Sequence, residues 1–105
     1  MAACKITLLK KLFHEDLAEE YCLKETGACS LFEVGREFSA DFPMKQTEDF
    51  PCSGAWADIA NFVLVLMQGG SFGPSSSWEL MKDDKTMITC CSAGVRPVIF
   101  KLELL

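Results

Sequence analysis

No stretch of this sequence is long and apolar enough to carry it through a bilayer. Its longest apolar run, Ile59 to Met67, is interrupted by Asn61 and falls far short of the ~20 residues a membrane span needs. Basic residues are few. Eight Lys and two Arg are scattered against 15 acidic residues, the formal net charge is −5, and no basic stripe forms. An acidic surface repels nucleic acid and anionic membrane, so neither is expected as a partner. Histidine occurs once, at His14. One imidazole before EDLAEE gives no Ser-His-Asp order to argue and reads as an exposed helix-start residue. There is no C-x-x-C pair, the spacing that most zinc ribbons and knuckles use. The glycine-rich GGSFG at 69–73 lacks the Gly-Lys-Ser/Thr ending of a P-loop and follows a helix pattern rather than a strand. The N-terminal MAACKITLLKKLF places charges inside its apolar run and has no small-residue cleavage site, so it does not read as a secretory signal. These absences lead to the expectation of a cytoplasmic protein with reduced thiols, because cytoplasmic thiol buffers disfavour structural disulfides.

What the sequence does have is apolar material. Half of its 105 residues are hydrophobic, enough for one domain with a genuine core and unlike the make-up of a disordered chain. Cys4, Ile6 and Leu8 alternate with Lys5 and Thr7 in the period of a half-buried strand. Lys10-Lys11 at its end reads as a solvated pair. HEDLAEEYC reads as a short helix with Glu15 and Asp16 in its first turn, favourable to the helix dipole, and with Leu17 and Tyr21 as an apolar stripe. Gly27 breaks the chain, and REFSADF follows with Phe38, Ala40 and Phe42 on one face. The loop PMKQTEDFPC is bracketed by Pro43 and Pro51.

A central helix is expected from about Gly54 to Gln68, with Ser53 as its N-cap and Gly69-Gly70 as its end. Trp56, Ile59, Ala60, Val63, Leu66 and Met67 follow helical spacing. Phe62, Leu64 and Val65 are apolar as well, so the helix should be buried on several sides, by strands or by a second subunit. The stretch GGSFGPSSSWELMKDDK is a glycine- and serine-rich loop with one helical turn expected at Trp78 to Met81. TMITCC, the turn SAG and RPVIFKLELL then form a β-hairpin. Val98, Phe100, Leu102 and Leu104 alternate with Ile99, Lys101 and Glu103 in the last strand. No internal repeat and no dividing linker occurs.

The six cysteines carry the candidate chemistry. Free Cys behaves as a small hydrophobe, and that role suits Cys4, on the inward face of the first strand, and Cys22, at the end of the first helix. Cys52 stands before a helix N-terminus, where the dipole and unpaired N–H groups favour thiolate. That makes it the candidate nucleophile or redox group, with Arg36, Arg96 or Lys45 as cations that would add to the effect. Cys29 lies in a loop. Cys90 and Cys91 must point to opposite faces of a strand, and Cys91, nearest the turn, is the one that would join a site. Thiolates from Cys29, Cys52 and Cys91, completed by His14, a carboxylate or water, would suit zinc or iron. Trp56 would wall a pocket around Cys52, Trp78 with Phe72 would form a lid or interface anchor, and Arg96 would bind an anionic ligand. For these three, packing or ion pairing is the default against which the ligand role is weighed. Glu19-Glu20 and Asp83-Asp84 read as solvated faces.

Taken together, KITLLKKLF, GACSLFEVGREF, FPCSGAWADI, LMQGGSF and CSAGVRPVIFKLELL resemble the landmarks of a family of small, roughly hundred-residue prokaryotic proteins of uncharacterised function. The resemblance covers nearly the whole chain. It sets Cys29, Cys52 and Cys91 at matching positions, with Ser53 where that family often has proline, and it implies a stand-alone α+β domain without implying an activity.

The expected fold is a single α+β domain over residues 1–105. Four or so mostly antiparallel strands form a small sheet packed around or against one buried central helix, with a short N-terminal helix besides. The all-round apolar helix and the VIFKLELL strand favour a homodimer or higher oligomer, with a monomer that fully encloses the helix as the alternative. Three functions fit: a binding module whose thiols hold a metal or soft ligand near the helix start, an enzyme using Cys52, or an accessory or assembly protein whose cysteines only fill space. The first is the leading reading.

Overall fold

The computed structural model describes residues 3–41 and 46–105. Phe42, Pro43 and Lys45, which enter the expectations above, lie outside them. In chain order the elements are β1 (Ala3–Lys11), α1 (Glu15–Tyr21), β2 (Glu37–Asp41), α2 (Ser53–Met67), β3 (Thr86–Cys90) and β4 (Val98–Leu104). The strands make one antiparallel sheet in the order β2-β1-β4-β3, and α2 lies over β1, β4 and β3. This is the expected α+β architecture.

The alternation in β1 buries Cys4, Ile6 and Leu8 completely. Its register on β4 then slips. Leu8 pairs with Phe100, whereas Lys10 pairs with Ile99 and Lys11 with Val98. A bulge inserts one residue and turns the following side chains to the opposite face. Lys11 therefore leaves the solvated side. It is half-buried, and its ammonium donates to the carbonyls of Cys29 and Phe32, each at 3.0 Å. Of the lysine pair expected to be solvated, only Lys10 is exposed.

Those two bonds hold the loop between α1 and β2 against the core. Phe32 is 2% exposed and meets Phe38, Phe50 and Phe100 edge-on at ring separations of 6.2, 5.4 and 5.3 Å. The preferred geometry of aromatic pairs is of this kind. The opposite sheet face carries charge instead, with Lys5 and Glu37 at 3.5 Å and Lys101 and Glu103 at 3.0 Å.

Helix α2 begins one residue earlier than its sequence suggests. Ser53 is inside the helix, and the N-cap is Cys52. Its end is a Schellman motif: the Gly70 N–H donates to the Val65 carbonyl at 2.8 Å, and the Gly69 N–H to the Leu66 carbonyl at 3.1 Å. Gly69 sits at φ +87°, which only glycine adopts without strain. Ala55, Ile59, Val63 and Leu66 form the buried stripe. The sheet covers one side of the helix, so the alternative of a chain that fully encloses it does not hold. Leu64 and Val65 remain 42% and 38% exposed.

Two smaller expectations also change. In α1 the buried residue is Ala18, while Leu17 and Tyr21 are exposed, since no element packs over their side of so short a helix. The helical turn expected at Trp78 to Met81 does not form. Glu79 takes φ +47°, and Leu80 and Met81 both donate backbone N–H groups to the Phe72 carbonyl, at 3.0 and 2.8 Å.

Candidate functional site

Cys52 is half-buried against the core. Its sulfur accepts the Ala55 backbone N–H at 3.4 Å, the bond that a serine or threonine oxygen makes in an ordinary N-cap. Pro51 and the loop before it bring the chain in at an extended angle, with Cys52 at φ −139° and ψ 113°. The thiol is thus aimed back into the first turn of its own helix.

Cys91 follows the same logic. It is half-buried, and its N–H donates to the Val98 carbonyl at 3.2 Å. In return the Val98 N–H donates to the Cys91 sulfur at 3.3 Å, where a regular ladder would use the carbonyl. This thiol closes the β3–β4 hairpin. Cys29 packs partly buried on the core. Cys22 caps the C-terminus of α1 and lines a cleft of about 580 Å³ with Phe13, Glu15 and Glu19. Cys90 ends β3 exposed, and all six thiols are free. Burial raises the Cys4 thiol to about 11, so it stays protonated and inert at neutral pH.

Cys29, Cys52 and Cys91 are not gathered into one donor set. Among the described residues no group of three or more His, Cys, Asp or Glu is arranged to hold a metal ion. Trp56 packs on the core beside Phe50, at a ring separation of 5.8 Å. Arg36 donates to the Asp49 carbonyl at 3.1 Å and lays its guanidinium 4.8 Å from the Phe38 ring. Arg96 is exposed and borders a shallow cleft with Leu23, Lys24, Glu25 and Thr26. None of the three thiols lines that cleft, the α1 cleft or the cleft beside Asp83 and Glu103. His14 is exposed and precedes α1 without a side-chain cap bond.

Trp78 is 57% exposed and stacks edge-on against Phe72 at 5.3 Å and Phe62 at 6.5 Å. The loop that carries it is ordered by a carboxylate that sequence reasoning left as a solvated charge. Asp84 accepts the Ser71 hydroxyl at 2.7 Å, the Ser75 N–H at 2.9 Å and the Ser75 hydroxyl at 2.7 Å. Asp83 accepts the Lys85 N–H at 2.8 Å and the Thr86 hydroxyl at 3.2 Å, at the entrance to β3. Serines followed nine to thirteen residues later by an Asp pair carry little signal, because the loop's path decides which of them meet.

The Ser75 N–H, then the Ser71 and Ser75 hydroxyls, lower Asp84 from the ordinary 3.8. Its folded value lies below its unfolded one. The contribution to loop order is therefore complete above 3.8 and is lost as pH falls through the lowered folded value. The Ser75 amide proton resonance is expected to titrate with a midpoint below 3.8, and Asp84→Asn is expected to abolish that titration.

No helix among the described residues is long and apolar enough to cross a membrane. No family model, curated protein or solved structure matches the chain. The resemblance to the small prokaryotic family rests on the sequence landmarks alone.

Proposed function

We propose that this chain is an accessory or assembly protein that works by self-association, and that its cysteines serve the fold. The observation that carries this reading is apolar surface left uncovered beside α2. Trp78, 57% exposed, stacks on Phe62 of the helix, and Val65, 38% exposed, lies one turn on from Phe62 on that side of α2. Phe72, itself buried, backs Trp78, and apolar side chains exposed side by side mark interaction sites more often than singly exposed ones do. Sedimentation equilibrium of the full chain under reducing conditions tests the reading. A reversible, concentration-dependent dimer or higher oligomer is expected, and a monomer from about 10 to about 500 μM overturns it.

The role of Cys52 is tested separately. If its sulfur acts as a cap, Cys52→Ser preserves stability within about 0.5 kcal/mol and Cys52→Ala costs about 1 kcal/mol in urea denaturation. A chemical role for the sulfur is the second reading, favoured by its position at the N–H groups of a helix start. Faster alkylation of Cys52 than of the exposed Cys90 would support a nucleophile. Stoichiometric zinc or iron in anaerobically purified protein, lost in Cys52→Ala, would support a metal site.

A further inference from the structure

The loop between α2 and β3 carries Glu79 at φ +47°, the one non-glycine residue at positive φ among the described residues. A residue stays in that region only where its surroundings fix it, and such positions gather at recognition sites. Here the bonds on either side do the fixing. The Trp78 N–H donates to the Ser76 hydroxyl at 3.2 Å, and that hydroxyl donates to the Gly73 carbonyl at 2.9 Å. Leu80 and Met81 donate to the Phe72 carbonyl at 3.0 and 2.8 Å. Glu79 itself is exposed and has no ion-pair partner among the described residues. The loop thus presents an uncompensated carboxylate beside the exposed ring of Trp78.

Arg96 shows the opposite surplus. It too is exposed without an ion-pair partner among the described residues. It borders a cleft of about 470 Å³ with Leu23, Lys24, Glu25 and Thr26. Two cations against one acid leave this cleft positive. The α1 cleft instead sets Glu15 and Glu19 against Lys24, and the cleft beside β3 sets Asp83, Asp84 and Glu103 against Lys85. Leu23, on the wall of the positive cleft, is 86% exposed, more than any other large apolar side chain among the described residues.

We infer that the loop of one copy docks at this cleft of a second copy, Glu79 pairing with the partner's Arg96 and the partner's Lys24 while Trp78 covers the partner's Leu23. The inference rests on the self-association proposed above and names the surfaces that meet. Copies of net charge −5 repel over most of their surfaces, so they can associate only where charge is locally complementary. This contact supplies an acid for the surplus cations and an apolar ring for the exposed leucine. A chain does not make the contact with itself. β3 runs from the loop to the hairpin turn that carries Arg96, so five residues of strand, about 16 Å, lie between the two surfaces. Two copies set side by side with their β3 strands antiparallel place each loop at the other's cleft. Both contacts then form together about a two-fold axis, and the assembly closes as a dimer.

Sedimentation equilibrium of the native chain, Glu79→Arg, Arg96→Glu and the double variant decides it. Both side chains are exposed and unpaired within the chain among the described residues, so all three variants are expected to fold. Each single variant sets like charges against one another in both contacts and is expected to weaken dimerisation about tenfold or more. The double variant exchanges the two charges and is expected to dimerise as the native chain does. An equimolar mixture of the two single variants should also dimerise, because each contact between unlike chains regains opposite charges. A native dimer that neither single variant weakens, or a loss that the double variant and the mixture do not recover, overturns the docking and leaves self-association standing. Native species larger than a dimer overturn the two-fold arrangement. A native monomer throughout overturns both the docking and the self-association.

Discussion

Phe32→Ala is expected to destabilise the chain by about 3–5 kcal/mol, a large share of the ~5–15 kcal/mol that holds a domain of this size together. The urea midpoint should fall accordingly. Phe32 belongs to no helix or strand, yet its ring lies within 5.3–6.2 Å of Phe38 on β2, Phe50 before α2 and Phe100 on β4. Truncation removes the side chain common to three parts of the fold. Collapse into the space is restrained, because Lys11 fixes the Phe32 carbonyl from β1. Leu31 and Val34 flank it in the same loop but are exposed, and alanine at either should stay within about 0.5 kcal/mol of the native chain. Equal losses at 31, 32 and 34 would show that the loop contributes by its apolar content rather than by one anchored ring.

The contrast between Phe32 and its neighbours also marks how far the sequence could be read. Where a period exists, it was legible: β1, β2, the β3–β4 hairpin and α2 lie where alternation or helical spacing sets them. LFEV has neither period, so nothing local distinguishes the buried Phe32 from the exposed Leu31 and Val34. Lys11 was misread because a bulge is a property of two paired strands, and one strand's sequence does not contain it. The N-cap moved from Ser53 to Cys52 because both carry a side chain able to accept an N–H, and the entry angle of the chain chose between them. The all-round apolar character of α2 was real, but which side lacks cover depends on the number of layers, which is a tertiary fact. The site reading used the cysteines' positions in the chain. The structure gives Cys52 and Cys91 hydrogen-bonding work in different elements, and sequence order carries no information on whether their sulfurs converge.

Gly73→Ala should cost as much as or more than overpacking usually does, about 1–3 kcal/mol, for a reason that is wholly steric. A Cβ at this buried position would overlap the Asp83 carbonyl oxygen and stand 2.5 Å from its carbon and 3.1 Å from the Asp84 nitrogen. These are backbone atoms, so no rotamer relieves the overlap. The two strands of the loop must part. Parting them pulls Asp84 away from Ser71 and Ser75 and loosens Asp83 at the entrance to β3. The variant is therefore expected to lose the Ser75 amide titration together with its stability. Gly27→Ala is the control: nothing lies within 4 Å of its added Cβ, and a glycine replaced without strain changes stability by less than about 1 kcal/mol. A Gly73→Ala chain as stable as the Gly27→Ala control would mean that the close approach of residues 73 and 83 is not maintained in solution, and the ordered path from α2 to β3 would fall with it.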